Sequence, residues 1–341
     1  METIAVDAMG GDYAPSEIVK GAVLAVRDFK IPVVLVGDEE QIRGVLKKEN
    51  AENEPLISIH HASEVIGMEE HPGMAYRKKR DASVSVGARL VKEGTCGALV
   101  APGSTGAAVT AGLFGIGRIP GIDRPAILTP IPNQKGGYTF LIDSGASTQP
   151  KAENLLQNAL LGHWYAKLVA GISSPKIGLL NIGAESTKGS PLMTDVYEKL
   201  SADSRFNFAG NCEGRDMPTG EFDVVVADGF TGNACLKFGE GLGNLFFGLL
   251  KEAVEKGGLR AKLGALLLKP ALKEYVKKRV DYAEYGGAPL LGLCGGLVIC
   301  HGASKAWAIR NAISVAEKIA EGHVAEAVAN ALAEEKAAAE V

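Results

Sequence analysis

The sequence lacks most of the features by which a site announces itself. Cysteine is scarce: Cys96, Cys212, Cys235, Cys294 and Cys300 make five, an odd number with no C-x-x-C pair. That excludes a disulfide framework and a cysteine zinc site, and it fits a reducing, cytoplasmic setting. The six histidines are scattered, so no metal is expected. Cationic residues are not in excess, 36 against 40 acidic ones for a net charge of −4, so no nucleic-acid partner is expected. No apolar run approaches the roughly 20 residues of a spanning helix, which leaves only peripheral membrane contact. The opening METIAVD starts on a strand and does not read as a signal peptide. No G-x-x-x-x-G-K-[ST] loop, no strand followed by G-x-G-x-x-G and no G-x-S-x-G elbow occurs; Gly115-x-Gly117 follows an Ala-rich helix instead. Neither a cofactor nor a covalent nucleophile is therefore expected.

What the chain does have is glycine-rich turns at the ends of apolar runs, and one stretch sets the pattern. Val224, Val225, Val226 and Ala227 read as a strand buried on both faces. Asp228-Gly229-Phe230-Thr231-Gly232-Asn233 breaks it, and a helical pattern follows from Asn233 through Leu236, Leu242, Leu245 and Leu249. A strand, a glycine turn and a helix aim backbone N–H groups at one spot, where the helix dipole favours an anion. Similar strands are expected at 3–6, 33–36, 57–59, 98–100, 176–180 and 206–210, with a hairpin of 127–131 and 138–142 around Gly136-Gly137. Strands alternating with helices predict an α/β protein with a doubly wound, mostly parallel sheet. The length of 341 residues suits one large or two intimate domains, and the hairpin opens either an antiparallel arm or a smaller second domain. A helix over 323–340 is expected on the periphery.

In such sheets the ligand sits outside the carboxyl ends of the strands, where strand order reverses. Asp7, Gly10, Gly11 and Asp12; Ser104, Thr105 and Gly106; Ser147; Asn181, Glu185 and Lys188; and Asp228, Thr231, Gly232 and Asn233 all lie just past a strand. One crevice is expected to collect them. Their chemistry suits holding a tetrahedral oxyanion such as inorganic phosphate. Charge-assisted hydrogen bonds contribute about 1.5–3 kcal/mol each, against about 0.3–1 kcal/mol for one helix dipole, so Lys188 should outweigh any single helix end. Plainer readings exist for each: Lys188 as a surface lysine, Asn233 as a helix N-cap, Asp7 and Asp12 as turn braces, His61 and His301 as loop histidines. The run Arg77-Lys78-Lys79-Arg80 is either a solvated approach to a helix or a contact for an acidic partner.

Taken together, several motifs resemble one family. They are Val6-Asp7-Ala8-Met9-Gly10-Gly11-Asp12, Asn181-x-Gly183-x-Glu185-x-x-Lys188-Gly189, Gly210-Asn211-x-Glu213-Gly214, Asp228-Gly229-Phe230-Thr231-Gly232-Asn233, Tyr285-Gly286-Gly287-Ala288 and His301-Gly302. In that order, over the chain to about residue 320, they are similar to the phosphate acyltransferases of phospholipid synthesis, the PlsX family. The resemblance implies transfer of a long-chain acyl group from acyl carrier protein to inorganic phosphate, giving acyl phosphate for glycerol-3-phosphate acyltransferase. It implies a three-layer fold like the isocitrate/isopropylmalate dehydrogenases, a homodimer, and a single acyltransferase domain over 1–330 with a helical tail at 331–341. Lys188 and Asn233 take the phosphate or oxyanion role in this reading, Asp228, Thr231 and Gly232 shape the turn, and His61 serves proton transfer or the pantetheine arm. Two loops depart from the family pattern, with serine at 104 and 147 in place of asparagine; serine is shorter but still donates and accepts. Phosphate acetyltransfer from acetyl-CoA, an NAD-dependent dehydrogenase without its fingerprint, and a non-catalytic membrane scaffold for lipid-synthesis enzymes are the alternatives.

Leu259, Leu263, Leu266 and Leu267 fall at i, i+4, i+7 and i+8 with Arg260, Lys262, Lys269 and Lys273 around them, a basic amphipathic pattern that Pro270 should break or kink. It resembles the family's protruding helical hairpin, here at about 240–280, whose tip touches an anionic membrane surface and whose helices help form the dimer. Core or dimer packing is the plainer reading. The basic runs at 77–80 and 277–279 are candidate contacts for acidic carrier protein.

Overall fold

A computed structural model describes residues 1–339. The last two residues of the expected tail lie outside the described residues, as does the side chain of Lys277 in the basic run at 277–279. Eleven strands among the described residues form one sheet: β1 (Ile4–Asp7), β2 (Val33–Gly37), β3 (Ile57–His61), β4 (Ala98–Ala101), β5 (Ala126–Pro132), β6 (Tyr138–Ile142), β7 (Lys176–Asn181), β8 (Asn207–Glu213), β9 (Val224–Val226), β10 (Ala288–Leu291) and β11 (Gly296–Ile299). Their order is β3–β2–β1–β4–β11–β10–β5–β6–β9–β7–β8. Strands β1, β4, β9 and β11 are buried at every position, as their unbroken apolar runs require when helices cover both faces.

Those helices are α1 (Ser16–Phe29), α2 (Glu39–Lys48), α3 (Pro72–Lys78), α4 (Ser83–Lys92), α5 (Thr105–Ala111), α6 (Ala152–Leu168), α7 (Pro191–Ala202), α8 (Gly229–Lys256), α9 (Gly258–Leu272), the short α10 (Lys278–Val280) and α11 (Tyr282–Tyr285), α12 (Ala306–Glu321) and α13 (Val324–Ala339). Alternation along β1 sorts the layers. Ile4 and Val6 join the apolar cluster of α1, α2, α6, α12 and α13, whereas Ala5 joins that of α4 and α5.

The sheet has two parallel blocks, β3–β2–β1–β4–β11 and β6–β9–β7–β8. Between them β10 and β5 pair antiparallel with both neighbours. Of the hairpin expected to open an antiparallel arm or a smaller second domain, β5 thus lies in the central seam and β6 begins the second parallel block. Phe140, Leu141 and Ile142 of β6 are buried, and an arm would have left them bare. Strand order reverses twice: β4 lies on the far side of β1 from β2, and β9 on the far side of β7 from β8.

Three other expectations change. The helix at 323–340 is not peripheral: Val324 and Val328 of α13 are buried in the main core, with Ala325, Ala329, Ala331 and Leu332 packed against it, so 330/331 falls inside one helix. Pro270 does not break α9, which runs on to Leu272 and then widens into a π turn at Lys273–Lys277. Nor is α9 one-sided, since Leu266, Leu267 and Leu268 are consecutive and so spread over about 200° of the helix.

The hairpin itself, α8 and α9, stands off the body. It buries only Gly229 and Gly232 of α8 and nothing of α9. Phe238 is 72% exposed and Leu267 83%, so two helices of apolar residues are left without a partner in the single chain. No helix among the described residues is long and apolar enough to cross a membrane.

Candidate active site

The first strand-order reversal is flanked by the loops after β1 and β4, with that after β11 beside them. Asp7, at the end of β1, is buried and faces its own loop: its Oδ1 accepts the Met9 N–H at 3.1 Å. Burial pushes its carboxyl up; hydrogen bonds from Ser83 and the backbone of Met9 and Gly10 pull the other way. Asp7 therefore braces the turn that the sequence offered as a ligand site. Gly11 lies at φ +90°, and a Cβ there would sit 2.4 Å from the Pro102 carbonyl and 2.9 Å from that of Gly302. The Asp12 N–H donates to that Gly302 carbonyl at 2.8 Å, which ties the loops after β1 and β11 together. His301 Nδ1 accepts the Ala303 N–H at 3.1 Å.

Helix α5 leaves the loop after β4 with an open end. Ser104 is its N-cap and its side chain makes no capping bond. The first intrahelical bond is Ala108 N–H to the Ser104 carbonyl, so the N–H groups of Thr105, Gly106 and Ala107 have no partner within the helix.

The second reversal is flanked by the loops after β7 and β9, with that after β6 beside them. The turn after β9 differs from the expectation. Helix α8 starts at Gly229, not at Asn233, and Asp228 is its N-cap. Asp228 Oδ1 accepts the N–H groups of Phe230 (3.0 Å) and Thr231 (2.9 Å). The Gly229 N–H donates to the Ser147 carbonyl and the Gly232 N–H to the Asp228 carbonyl. The three N–H groups ahead of that first intrahelical bond are thus all used, and none of them is left for an anion. Asn233 lies one turn further on, exposed, against Gly145 of the loop after β6.

That loop is held by Asp143, which the sequence reading passed over. Asp143 Oδ1 accepts from Ile127, Gly145 and Ala146 at 3.1, 2.9 and 2.9 Å, and Oδ2 from Ser147 at 2.7 Å. Burial pushes its carboxyl up, against the pull of these four N–H groups. A Cβ on Gly232 would lie 2.0 Å from the Asp143 carbonyl oxygen, so glycine there is what lets α8 approach. The signal was present as two glycines three apart, but the partner they approach is distant in sequence. Ser147 is buried, and its Oγ accepts from Arg124 Nη1 at 2.9 Å, a contact also unforeseen.

After β7, Asn181 and Asn211 shape the lysine loop. Asn181 Nδ2 donates to the Lys188 carbonyl at 3.0 Å and to Asn211 Oδ1 at 3.1 Å, while Asn211 Nδ2 donates to the Glu185 carbonyl at 2.8 Å. Asn211 reaches this loop through an irregularity in β8: Ile177 pairs with Phe208 but Leu179 with Asn211, an extra residue beside Gly210 at φ +94°. Gly189 at φ +97° brings the backbone against Asn181. Lys188 is exposed and makes no ion pair among the described residues, and its Cγ lies beside Gly183 with the Glu185 carboxylate.

Ala146, beside Ser147, lies against the apolar cluster that holds Ala107, Ala108 and Ala111 of α5. His61 stands apart from both reversals. It ends the outermost strand β3, exposed, and its Nδ1 accepts the Glu39 N–H at 3.4 Å. Lys79 of the basic run turns inward, donating to the Val65 carbonyl at 2.7 Å and to Glu70 Oε1 at 2.6 Å. Burial pushes the thiols of Cys96, Cys212 and Cys300 up to about 11, 12 and 12, so none of these is a ready thiolate at neutral pH.

Among solved structures, the chain is similar to a phosphotransacetylase from Streptococcus pyogenes (TM-score 0.62, 18% identity, 93% of this chain and 94% of that one). A 4-hydroxythreonine-4-phosphate dehydrogenase from Klebsiella pneumoniae is also similar (TM-score 0.53, 16% identity, 94% and 100%). At those identities the likeness defines the fold alone, one that serves both acyl transfer and dehydrogenation. The sequence of the family described as "Fatty acid synthesis protein" matches residues 2–327. A phosphate acyltransferase from Pelotomaculum thermopropionicum is 50% identical over 329 residues, 96% of this chain and 94% of its own length. Those from Desulfitobacterium hafniense (52% over 319 residues, 93% and 94%) and Streptococcus pneumoniae (48% over 314, 92% and 93%) are similar to the same extent. The chain belongs to the phosphate acyltransferase family, the PlsX family, and is an acyltransferase.

Proposed function

We propose that the protein moves a long-chain fatty acyl group from the thioester of acyl carrier protein to inorganic phosphate. What supports this reading is an open helix end, where the N–H groups of Thr105, Gly106 and Ala107 have no partner within the helix, and a lysine, Lys188, with no ion pair among the described residues, on loops beside the two strand-order reversals. Hydrogenphosphate is held by Lys188 and the α5 N–H groups. Its oxygen forms the bond to the thioester carbon, the C–S bond breaks, and the phosphate proton ends on the departing thiol. The products are acyl phosphate and free carrier thiol, with no enzyme-bound intermediate. In this reading Asn233 donates to the thioester oxygen, a role worth about 2.7–4 kcal/mol when well aligned. Fixing both reactants supplies the proximity contribution.

In this reading the protein is cytoplasmic, and the bare faces of α8 and α9 pair with a second copy and rest on an anionic membrane surface. Acyl phosphate passes on to a glycerol-3-phosphate acyltransferase. Arg77, Lys78 and Arg80 remain for the acidic carrier. A second reading, acetyl transfer from acetyl-CoA, is favoured by the shared fold with phosphotransacetylases.

Phosphate-dependent release of carrier thiol from palmitoyl-acyl carrier protein, with acyl phosphate trapped by hydroxylamine, tests the proposal. Turnover is expected on that donor and not on acetyl-CoA, and Lys188→Ala should lower it about 10- to 100-fold. Preference for acetyl-CoA would establish the second reading. Full activity in the variant would move the phosphate site away from Lys188.

A further inference from the structure

The reaction above makes no use of Arg124, yet the fold holds this residue at both ends. At its root, Pro125 keeps the residue before it extended. Gly292, at φ +95°, packs on the same stretch: a Cβ there would lie 3.2 Å from Pro125 Cα. Three residues past Arg124, the Ile127 N–H donates to Asp143 Oδ1 at 3.1 Å. At its tip, Arg124 Nη1 donates to Ser147 Oγ at 2.9 Å. That acceptor is itself fixed. Ser147 is buried, its N–H donates to Asp143 Oδ2 at 2.7 Å, and its carbonyl accepts the Gly229 N–H at 2.8 Å. Backbone bonds therefore set the serine, and its hydroxyl is left to hold the arginine.

What Arg124 lacks is a counter-charge. It is exposed, and its side chain makes no ion pair and no second hydrogen bond among the described residues. The carboxylate next to it, Asp123, is engaged by α6, its Oδ2 accepting from Asn154 Nδ2 at 3.5 Å. Arginines that serve the fold differ: Arg205 pairs with Asp203 at 2.6 Å and Arg310 with Asp28 at 2.5 Å. The topology says where the unpaired guanidinium lies. Because β5 runs antiparallel to β6, its start shares a sheet edge with the ends of β6, β9 and β7. Along that edge come Arg124, the Asp143–Ser147 loop, the start of α8 with Asn233, and the Lys188 loop. Three strand spacings, about 14 Å, separate the strands that carry the two cations.

We infer that Arg124 is a contact for a phosphate-class oxyanion of the reaction, and that Ser147 is the positioning residue that holds it ready. The inference deepens the acyl-transfer reading and rests on it. That reading supplies two such oxyanions, inorganic phosphate and the phosphate at the root of the carrier's pantetheine arm. The first three N–H groups of α8 are taken by Asp228 and Ser147, so an anion at this edge must be met by side chains. With Nη1 tied to Ser147, the edge formed by Nε and Nη2 stays open, two parallel N–H groups of the kind that match two phosphate oxygens. Tying one end in advance also lowers the ordering cost when the anion binds.

The test uses the full chain with Arg124→Met and Ser147→Ala, separately and together. Neither change removes a backbone bond, so the fold should persist; thermal melting checks this. Binding of inorganic phosphate and of phosphopantetheine is measured by calorimetry, with pantetheine as the uncharged control. Arg124→Met should weaken at least one of the two anions about 10- to 100-fold and leave pantetheine unchanged. Arg124→Lys keeps the charge but not the fork and should restore only part of the loss. In turnover the same factor should appear in KM rather than kcat. It falls on inorganic phosphate if that is the anion, and on the acyl carrier substrate if the arm is. Ser147→Ala should cost about 2- to 10-fold in anion affinity where Arg124 is present and nothing in the Arg124→Met background. Anion affinities unchanged in Arg124→Met, or no binding of either anion to the wild type, would overturn the inference. So would an equal loss from Ser147→Ala in both backgrounds, since the serine would then act without the arginine. If no acyl thioester turns over, the acyl-transfer reading fails, while binding of the two anions still decides the role of Arg124.

Discussion

Helices α5 and α8 begin in nearly the same way and end up with opposite chemistry at their N-termini. Each follows a fully buried strand, and each has glycine in its first turn. At α8 the cap is Asp228, whose carboxylate takes two N–H groups, and the Ser147 carbonyl takes a third. At α5 the cap is Ser104, whose hydroxyl takes none. A negative cap occupies the position an anion would hold, so the turn with the stronger sequence signal is the one that is closed. The difference also divides the roles of glycine. Gly232 permits packing against Asp143, whereas Gly106 permits Pro72 of α3 to seat beside an open helix end.

The comparison can be broken most forcefully at Gly232. Gly232→Ala places a Cβ 2.0 Å from the Asp143 carbonyl, and a urea titration should show a loss of about 3 kcal/mol or more. A neutral result would mean that α8 is free to shift and that its closed end is not fixed. Ser104→Asp makes α5 resemble α8. A fixed carboxylate about 4 Å from a bound anion is worth ~4 kcal/mol at an effective dielectric of 20, so the phosphate KM should rise about a hundredfold after solvent screening. Stability should hold or improve, since aspartate is a good cap; an unchanged KM would show that phosphate binds elsewhere.

Asp228→Ala is the reverse experiment. Loss of the cap should cost about 1 kcal/mol in thermal or urea unfolding. The phosphate KM should move less than about twofold, since these N–H groups serve the helix rather than the ligand. A large rise would restore Asp228 to the binding site. The smallest effect is expected at Asp7. Burial raises its carboxyl above the ordinary 3.8, so the folded state holds the proton more tightly than the unfolded chain. That contribution is complete below 3.8 and is lost as pH rises through the folded value. Asp7→Asn keeps an oxygen for the Met9 N–H and should flatten the fall in stability as pH rises above 3.8, read from urea midpoints. An identical slope in the variant would mean that Asp7 is ionised at little cost.

Much of the architecture was legible because it rests on local pattern. Apolar runs such as 98–100 and 224–227 can only be strands covered on both faces, and Gly136-Gly137 places a hairpin where β5 and β6 turn. The seam was not legible, because whether a hairpin is an arm or a joint depends on which strands lie beside it. The candidate residues were found as loops, not as a site. Asn181 was visible, but its partner Asn211 lies 30 positions away across a bulge. Asp143 was hidden for the same reason, its burial being produced by a helix that starts at Gly229.

The sequence by itself determined the class of fold and the family, since each depends on residues close together in the chain. Only the tertiary structure decided which carboxylates are braces and which helix end stays open. Those outcomes depend on pairings such as Gly229 with Ser147 and Gly11 with Pro102 and Gly302, where a backbone donor or a missing Cβ acquires its meaning from a segment distant in sequence.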